Sequence, residues 1–282
     1  MMTDVVERVL CDMHVHSDHS HDGKSSLEEL IAESIRRGIS VLAITDHCDV
    51  EYYLPWDQRS VIRGSVSEVG ALAPRAADRL TLLTGIEIGE GIWSPEHTEE
   101  ILGDHRYDVV IGSVHAVRYG TLTDPYSKID FATLSEEALH GYLCAYFEDL
   151  YEMVETSPCD VVAHLTCPLR YINGIYRRNV DVRRYEMQIE RVLRHIIAKG
   201  RALEVNTSGV GGAYGAFMPD AWIVRRYFEL GGRRITLGSD AHTAERLAAS
   251  FDEALTLLSS CGFDTYYYYR DRRPVPCPIV LA

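Results

Sequence analysis

The chain has 282 residues, 46% of them hydrophobic, and carries 42 acidic against 28 basic side chains for a formal charge of −14. Such a surface repels polynucleotide backbones, which argues against non-specific nucleic-acid binding. No apolar run approaches the roughly 18 residues of a membrane span, and Met1 to Arg8 lack the charged lead and apolar core of a secretory signal, so a cytoplasmic protein with no membrane partner is expected.

The elements follow in chain order as strand and helix units. After the first apolar run, Val9-Leu10, comes the stretch Ser26 to Gly38, where Ser26 and Glu29 have the spacing of a capping box and Leu27, Leu30, Ile31 and Ile35 recur at helical period. Gly38 then stands where a left-handed cap ends a helix. The continuous apolar run from Ser40 to Thr45 reads as a strand covered on both faces. Further strands are expected near 81–88, 108–114, 160–165, 202–206 and 234–239, and helices near 135–156, 181–199, 219–230 and 243–260. Tyr266 to Tyr269 read as a closing strand, followed by an extended tail to Pro276.

The loops that follow strands, at 48–57, 89–97, 116–134, 166–180 and 207–219, are longer than the returns from helix to strand. That asymmetry is the pattern of a barrel whose chemistry sits at the carboxyl ends of its strands. No linker or low-complexity segment divides the chain, so one domain over 1–282 is expected. The seven cysteines (Cys11, Cys48, Cys144, Cys159, Cys167, Cys261 and Cys277) are dispersed without a Cys-x-x-Cys pair and read as buried reduced thiols.

Metal-type residues stand at the predicted strand ends: His14 and His16, Asp46 and His47, Glu87, His115, His164, and Asp240 with His242. Residues two apart on a strand face one way, so His14 and His16 can present both imidazoles to one cation. Imidazole and carboxylate are costly to bury without a partner, and their repetition at strand ends points to metal binding. Nitrogen and carboxylate oxygen without thiolate suit Zn²⁺, Mn²⁺ or Fe²⁺. The donors outnumber what one ion needs, and a carboxylate such as Glu87 can bridge two ions that together activate a water for attack at phosphorus.

The ordered motifs Asp12-Met13-His14-Val15-His16, Ile44-Thr45-Asp46-His47, Gly85-Ile86-Glu87-Ile88-Gly89, Ile111-Gly112-Ser113-Val114-His115, Ala163-His164-Leu165 before Pro168-Leu169-Arg170, Leu203-Glu204-Val205-Asn206-Thr207-Ser208-Gly209 and Leu237-Gly238-Ser239-Asp240-Ala241-His242 resemble those of the PHP (polymerase and histidinol phosphatase) superfamily, specifically its histidinol-phosphate phosphatases. The resemblance spans nearly the whole chain. It implies a distorted (β/α)₇ TIM-like barrel with two to three divalent ions at the carboxyl ends of the strands. Carried over, His14, His16, Glu87 and Asp240 hold one ion, Glu87, His115 and His164 a second, and Asp22, His47 and His242 a third. Asp22 is the weakest assignment, because Asp18, His19 and His21 compete in the same loop.

The resemblance further implies hydrolysis of L-histidinol phosphate, in histidine biosynthesis, by a metal-bridging hydroxide, with Asp240 managing a proton and Arg170 clamping the phosphate through a bidentate guanidinium. Arg118 is a weaker phosphate candidate, and Asp49, Glu51 and Tyr171 are loop candidates for the amine and imidazole of the substrate. The glycines between Ser208 and Gly215 lack a P-loop pattern and read as a flexible lid. His97, His105, His140 and His195 read as surface or capping residues. A metal-dependent amidohydrolase would want a carboxylated lysine after strand four, where this chain has Ser113-Val114-His115. Other small phosphate esters, such as nucleotides or cyclic phosphates, compete as substrates, and a non-enzymatic metal-binding relative would be expected to lack ligands. The sequence leaves the oligomeric state open.

Overall fold

A computed structural model describes residues 8–281. The start of the chain, residues 1–7, read above as lacking a secretory signal, lies outside the described residues. Seven parallel strand positions follow one another around a barrel: β1 (Cys11–Val15), β2 (Val41–Ile44) continued after a break by β3 (His47–Asp49), β4 (Thr81–Gly89), β5 (Val109–Ser113), β6 (Val161–Val162), β7 (Ala202–Asn206) and β8 (Ile235–Gly238). The ring closes where Val15 bridges Ala241, with Asp240 N–H donating to His14 O at 2.8 Å and His16 N–H to Ala241 O at 2.9 Å. This is the expected distorted (β/α)₇ barrel. Its strands are largely apolar because helices cover the outer face while side chains fill the interior, and their polar residues include those aimed at the carboxyl end of the barrel.

The helices are α1 (Leu27–Arg36), α2 (Gln58–Ala76), α3 (Pro95–Asp104), α4 (Glu136–Thr156), the single turn α5 (Cys167–Leu169), α6 (Glu186–Ala198), α7 (Ala221–Glu229) and α8 (Phe251–Ser260). The capping box of α1 is present: Ser26 Oγ accepts from Glu29 N–H and the Glu29 carboxylate accepts from Ser26 N–H. Gly38 has φ +72°, as its place after the helix requires. Two helices escape the periodicity reading. α2 contains Gly64, Gly70 and Pro74, and α3 runs only ten residues, so neither offers a long apolar stripe. No helix among the described residues is long and apolar enough to cross a membrane.

Three expectations are corrected. Only Val161 and Val162 of the 160–165 stretch join the sheet, because His164 turns the chain out of the strand at φ +23°. The helix expected from residue 243 begins at Phe251, since Ala248 N–H is tied to the buried Asp12 carboxylate and Ser250 adopts φ +61°. The tyrosine run does not close the barrel. β9 (Thr265–Arg270) pairs antiparallel with β10 (Arg273–Pro278), which lies largely in the stretch expected as an extended tail. This hairpin covers the amino-terminal ends of the strands, where Tyr266 Oη donates to Val9 O and Arg272 meets Asp160, so the opposite end stays open for the site.

Candidate metal centre

Each strand delivers its metal-type residue to the carboxyl end of the barrel. His14 and His16 leave β1 on one side, and Glu87 projects from β4 between them and the residues from β5 and β6; all three are fully buried. Glu87 Oε2 lies 3.3 Å from His14 Nε2, 3.6 Å from His16 Nε2 and 2.8 Å from His47 Nδ1. Its other oxygen, Oε1, lies 3.2 Å from His115 Nε2 and 3.0 Å from His164 Nε2. Asp240 Oδ1 adds contacts of 3.3 Å to His16 Nε2 and 3.9 Å to His14 Nε2. Two ligands each about 2.1 Å from a tetrahedral ion are roughly 3.4 Å apart, so these separations fit donors sharing cations. The buried atoms His14 Nε2, His16 Nε2, His47 Nδ1 and Glu87 Oε2 have no hydrogen-bond partner and converge on the same space, which is the arrangement metal ions would satisfy.

The far nitrogens of these rings are tied down. His14 Nδ1 pairs with Glu204 Oε1 at 2.7 Å, His115 Nδ1 with Asp49 Oδ1 at 3.0 Å, and His242 Nδ1 with Asp240 O at 2.9 Å. Such partners fix ring orientation and leave Nε2 for the centre. The other oxygen of Glu204 accepts His164 N–H at 2.7 Å, so one carboxylate positions candidate ligands from two strands. Glu204 stands in a quoted motif but was not singled out as a site residue; a lone carboxylate inside an apolar buried strand was the signal. Glu90 was missed as well. It takes φ +51° and accepts the backbone N–H groups of His115 and Ala116, holding the turn that carries His115. Asp240, at φ +52°, is likewise in the left-handed region that non-glycine residues rarely adopt, and such strain gathers at functional sites. Gly238 is required by proximity: a Cβ there would stand 2.1 Å from Glu204 Oε1 and 2.6 Å from His14 Cβ.

The electrostatics follow from burial against close opposite charge. Burial alone would raise Glu87, but His14, His115 and His47 hold it well below the usual carboxylate range. Burial alone would depress His47, yet the Glu87 carboxylate outweighs it and raises the imidazole to about 9. His16 goes the other way, to about 3, through burial and the neighbouring His47 and His242. A cation binds the deprotonated imidazole, and a group with a raised pKa is protonated at neutral pH, so binding must displace protons. Metal affinity is therefore expected to rise with pH up to about 9, the His47 value, with protons released on binding. Calorimetry in buffers of different ionisation heat checks this; an affinity unchanged between about pH 6 and pH 9 would contradict it.

Residues 12–208 match the PHP domain. The chain belongs to the PHP domain family. Among similar PHP proteins are the probable histidinol-phosphatase of Thermotoga maritima, 26% identical over 268 residues that cover 90% of this chain and 94% of that protein, and the histidinol-phosphatase of Lactococcus lactis, 28% identical over 257 residues that cover 89% and 91%. The crystal structure of the Lactococcus lactis histidinol phosphate phosphatase complexed with Zn, L-histidinol and phosphate superposes with a TM-score of 0.78 at 20% identity, over 95% of this chain and 100% of that one. The two chains therefore share the barrel fold.

The remaining sequence candidates of this PHP chain divide by position. Asp22 reaches the rim, with Oδ2 3.1 Å from His242 Nε2 and Oδ1 3.7 Å from His47 Nε2. His21 is half exposed beside it, and His19 turns away to Glu68 at 2.7 Å. Arg170, Tyr171, Glu51 and Asp49 all line an open cavity of about 620 Å³ that also exposes Asp22, His47, Asp240 and His242. Arg170 donates to Ser208 Oγ at 3.2 Å, and Ser208 Oγ in turn donates to Asp240 Oδ2 at 3.1 Å. Arg118 is a correction: it does not line the cavity, because its guanidinium lies 4.1 Å over the Trp93 ring. Asp49 is a partial one, since its Oδ1 serves His115. His97, His140 and His195 bond to Ser94, Tyr185 and Glu155, away from the centre, and all seven cysteines are free thiols.

Proposed function

We propose that this PHP chain is a metal-dependent phosphomonoesterase that converts L-histidinol phosphate to L-histidinol and phosphate, acting in the cytoplasm in histidine biosynthesis. The observation that carries the reading is Glu87, whose two carboxylate oxygens face different sets of buried and partly buried imidazoles, three of which, His47, His115 and His164, line the cavity that also holds Arg170. The substrate half of the reading is supported by the names of the relatives and by the L-histidinol and phosphate bound in the Lactococcus lactis protein.

In this reading His14, His16, Glu87 and Asp240 hold one cation, Glu87, His115 and His164 a second, and Asp22, His47 and His242 a third, each ion being Zn, Mn or Fe. Bound there, such ions supply Lewis-acid charge and acidify a coordinated water. Asp240 faces that space through Oδ1, and its pKa, which burial would raise, is held well below the ordinary carboxylate range by His16, His14 and His242, so it stands ionised there, and its proposed proton-handling role rests on its position. Arg170 supplies a fixed guanidinium to the phosphate oxygens, with Ser208 anchoring it beside Asp240. Glu51 and Tyr171 line the same cavity, which supports their assignment to the alcohol half of the ester in this reading.

Arg170→Ala is expected to raise the KM for L-histidinol phosphate about 10- to 100-fold with metal content unchanged, the range of one or two lost charge-assisted hydrogen bonds. Steady-state kinetics with metal analysis checks it. The substrate itself is tested by a panel comparing L-histidinol phosphate with nucleoside monophosphates and cyclic phosphates on the metal-loaded protein. L-Histidinol phosphate is expected to give the highest kcat/KM; a nucleotide or cyclic ester ahead of it would overturn the substrate and leave the phosphoesterase class standing.

A further inference from the structure

The cavity carries a second guanidinium that the reading above does not use. Arg246 ends the short turn Ala244–Arg246, six residues beyond Asp240, and lines the same cavity as Arg170, Asp240 and His242. Among the described residues some arginines, including Arg37, Arg59, Arg178, Arg226 and Arg272, are ion-paired and most are not, so Arg246 is set apart by its place on the cavity wall. Arg246 has no carboxylate partner within 4.0 Å among the described residues. A cation left free at the mouth of a site lined with carboxylates is available to an anion.

What holds it there is a glycine on the neighbouring loop. A Cβ on Gly211 would stand 3.1 Å from both Nη1 and Nη2 of Arg246. Gly211 is not in the left-handed region, unlike Gly215 at φ +69° in the same loop, so backbone freedom does not account for it. Clearance does: the two terminal nitrogens of Arg246 face the bare Cα of the loop after β7, Cζ lying farther off at 3.6 Å from the same Cβ position, and a side chain there would shift them. The loop after β7 thus holds both Ser208, which anchors Arg170, and Gly211, which seats Arg246.

We propose that Arg246 is a second phosphate-recognising residue of this site, seated on Gly211 and acting with Arg170 to take up a phosphomonoester dianion. This rests on the phosphoesterase reading. The planar fork of arginine suits two phosphate oxygens at once, and an exposed example should matter less than the half-buried Arg170.

The test is binding of inorganic phosphate to the metal-loaded protein by calorimetry, alongside kinetics. Arg246→Ala is expected to weaken phosphate binding and raise KM about tenfold, with kcat, metal content and Tm little changed, and Arg246→Lys to recover part of the loss. Gly211→Ala should weaken phosphate binding a few-fold in the wild-type background and have no effect when Arg246 is already alanine, because the two act as one unit. Phosphate affinity within twofold of wild type in Arg246→Ala, or a Gly211→Ala effect that persists without Arg246, would overturn the proposal. If L-histidinol phosphate proves a poor substrate while phosphate binding still depends on Arg246, the substrate assignment fails and this inference stands.

Discussion

Glu87→Gln is expected to lower kcat/KM by about 1,000-fold, on the order of 4 kcal/mol, and to release metal at the same time. Glutamine keeps the volume and one carbonyl oxygen, so the barrel floor should stay packed. What it removes is the charge that both groups of imidazoles share. Oε2 faces His14, His16 and His47 while Oε1 faces His115 and His164 and accepts from Ser113 Oγ. An amide nitrogen in either place points protons at nitrogen donors that are themselves seeking a cation. Metal analysis and kinetics on one preparation check the expectation. Full metal content with full activity would remove Glu87 from the centre of the account.

The second large effect is expected at a residue that contacts no ion. Glu204→Gln should cost about 10- to 100-fold in metal affinity, the usual cost of removing a carboxylate that orients a metal-binding histidine. Glu204 is buried, binds His14 Nδ1 and His164 N–H with its two oxygens, and also accepts from Asn206 Nδ2 at 3.2 Å. Alanine there would strand these buried donors at about 1–3 kcal/mol each, so glutamine is the cleaner probe. Because the effect passes through ring orientation, competition with a chelator should reveal it as weaker metal binding, and saturating metal should restore much of the activity. Unaltered metal affinity in Glu204→Gln would show that His14 needs no such partner.

The strand ends were legible in the sequence because a buried parallel strand is an apolar run, and an imidazole or carboxylate immediately after it has few inexpensive explanations. His14, Glu87 and Asp240 could each be found that way. Their supports could not, since their partners depend on how the barrel closes. Asp12 on β1 accepts from the N–H and hydroxyl of Ser239 after β8, a pairing that exists only once the first and last strands meet. Asp46 similarly collects Ser17 and Ser20 from the loop after β1 and Ser65 from α2. In each case the sequence displays a carboxylate beside a candidate ligand, but not which hydrogens it takes.

The tail shows a different limit. Pro274 and Pro276 read as part of an extended end, yet with Pro278 they form alternate prolines that leave the N–H groups of Val275 and Cys277 to face one neighbour, which suits an edge strand paired with β9. Arg118 failed for a third reason. Its place in a loop after β5 was correct, but a nearby aromatic face captured the guanidinium, and no spacing rule reports that.

The central claim is a polynuclear centre organised by Glu87 that hydrolyses a phosphomonoester. Its most direct test is titration of metal-free protein with Zn²⁺ or Mn²⁺ while phosphate release from L-histidinol phosphate is followed. Activity should be absent without metal and should require at least two equivalents per chain, since the donors around Glu87 form more than one group. Full activity at one equivalent, or in the metal-free protein, would contradict the account.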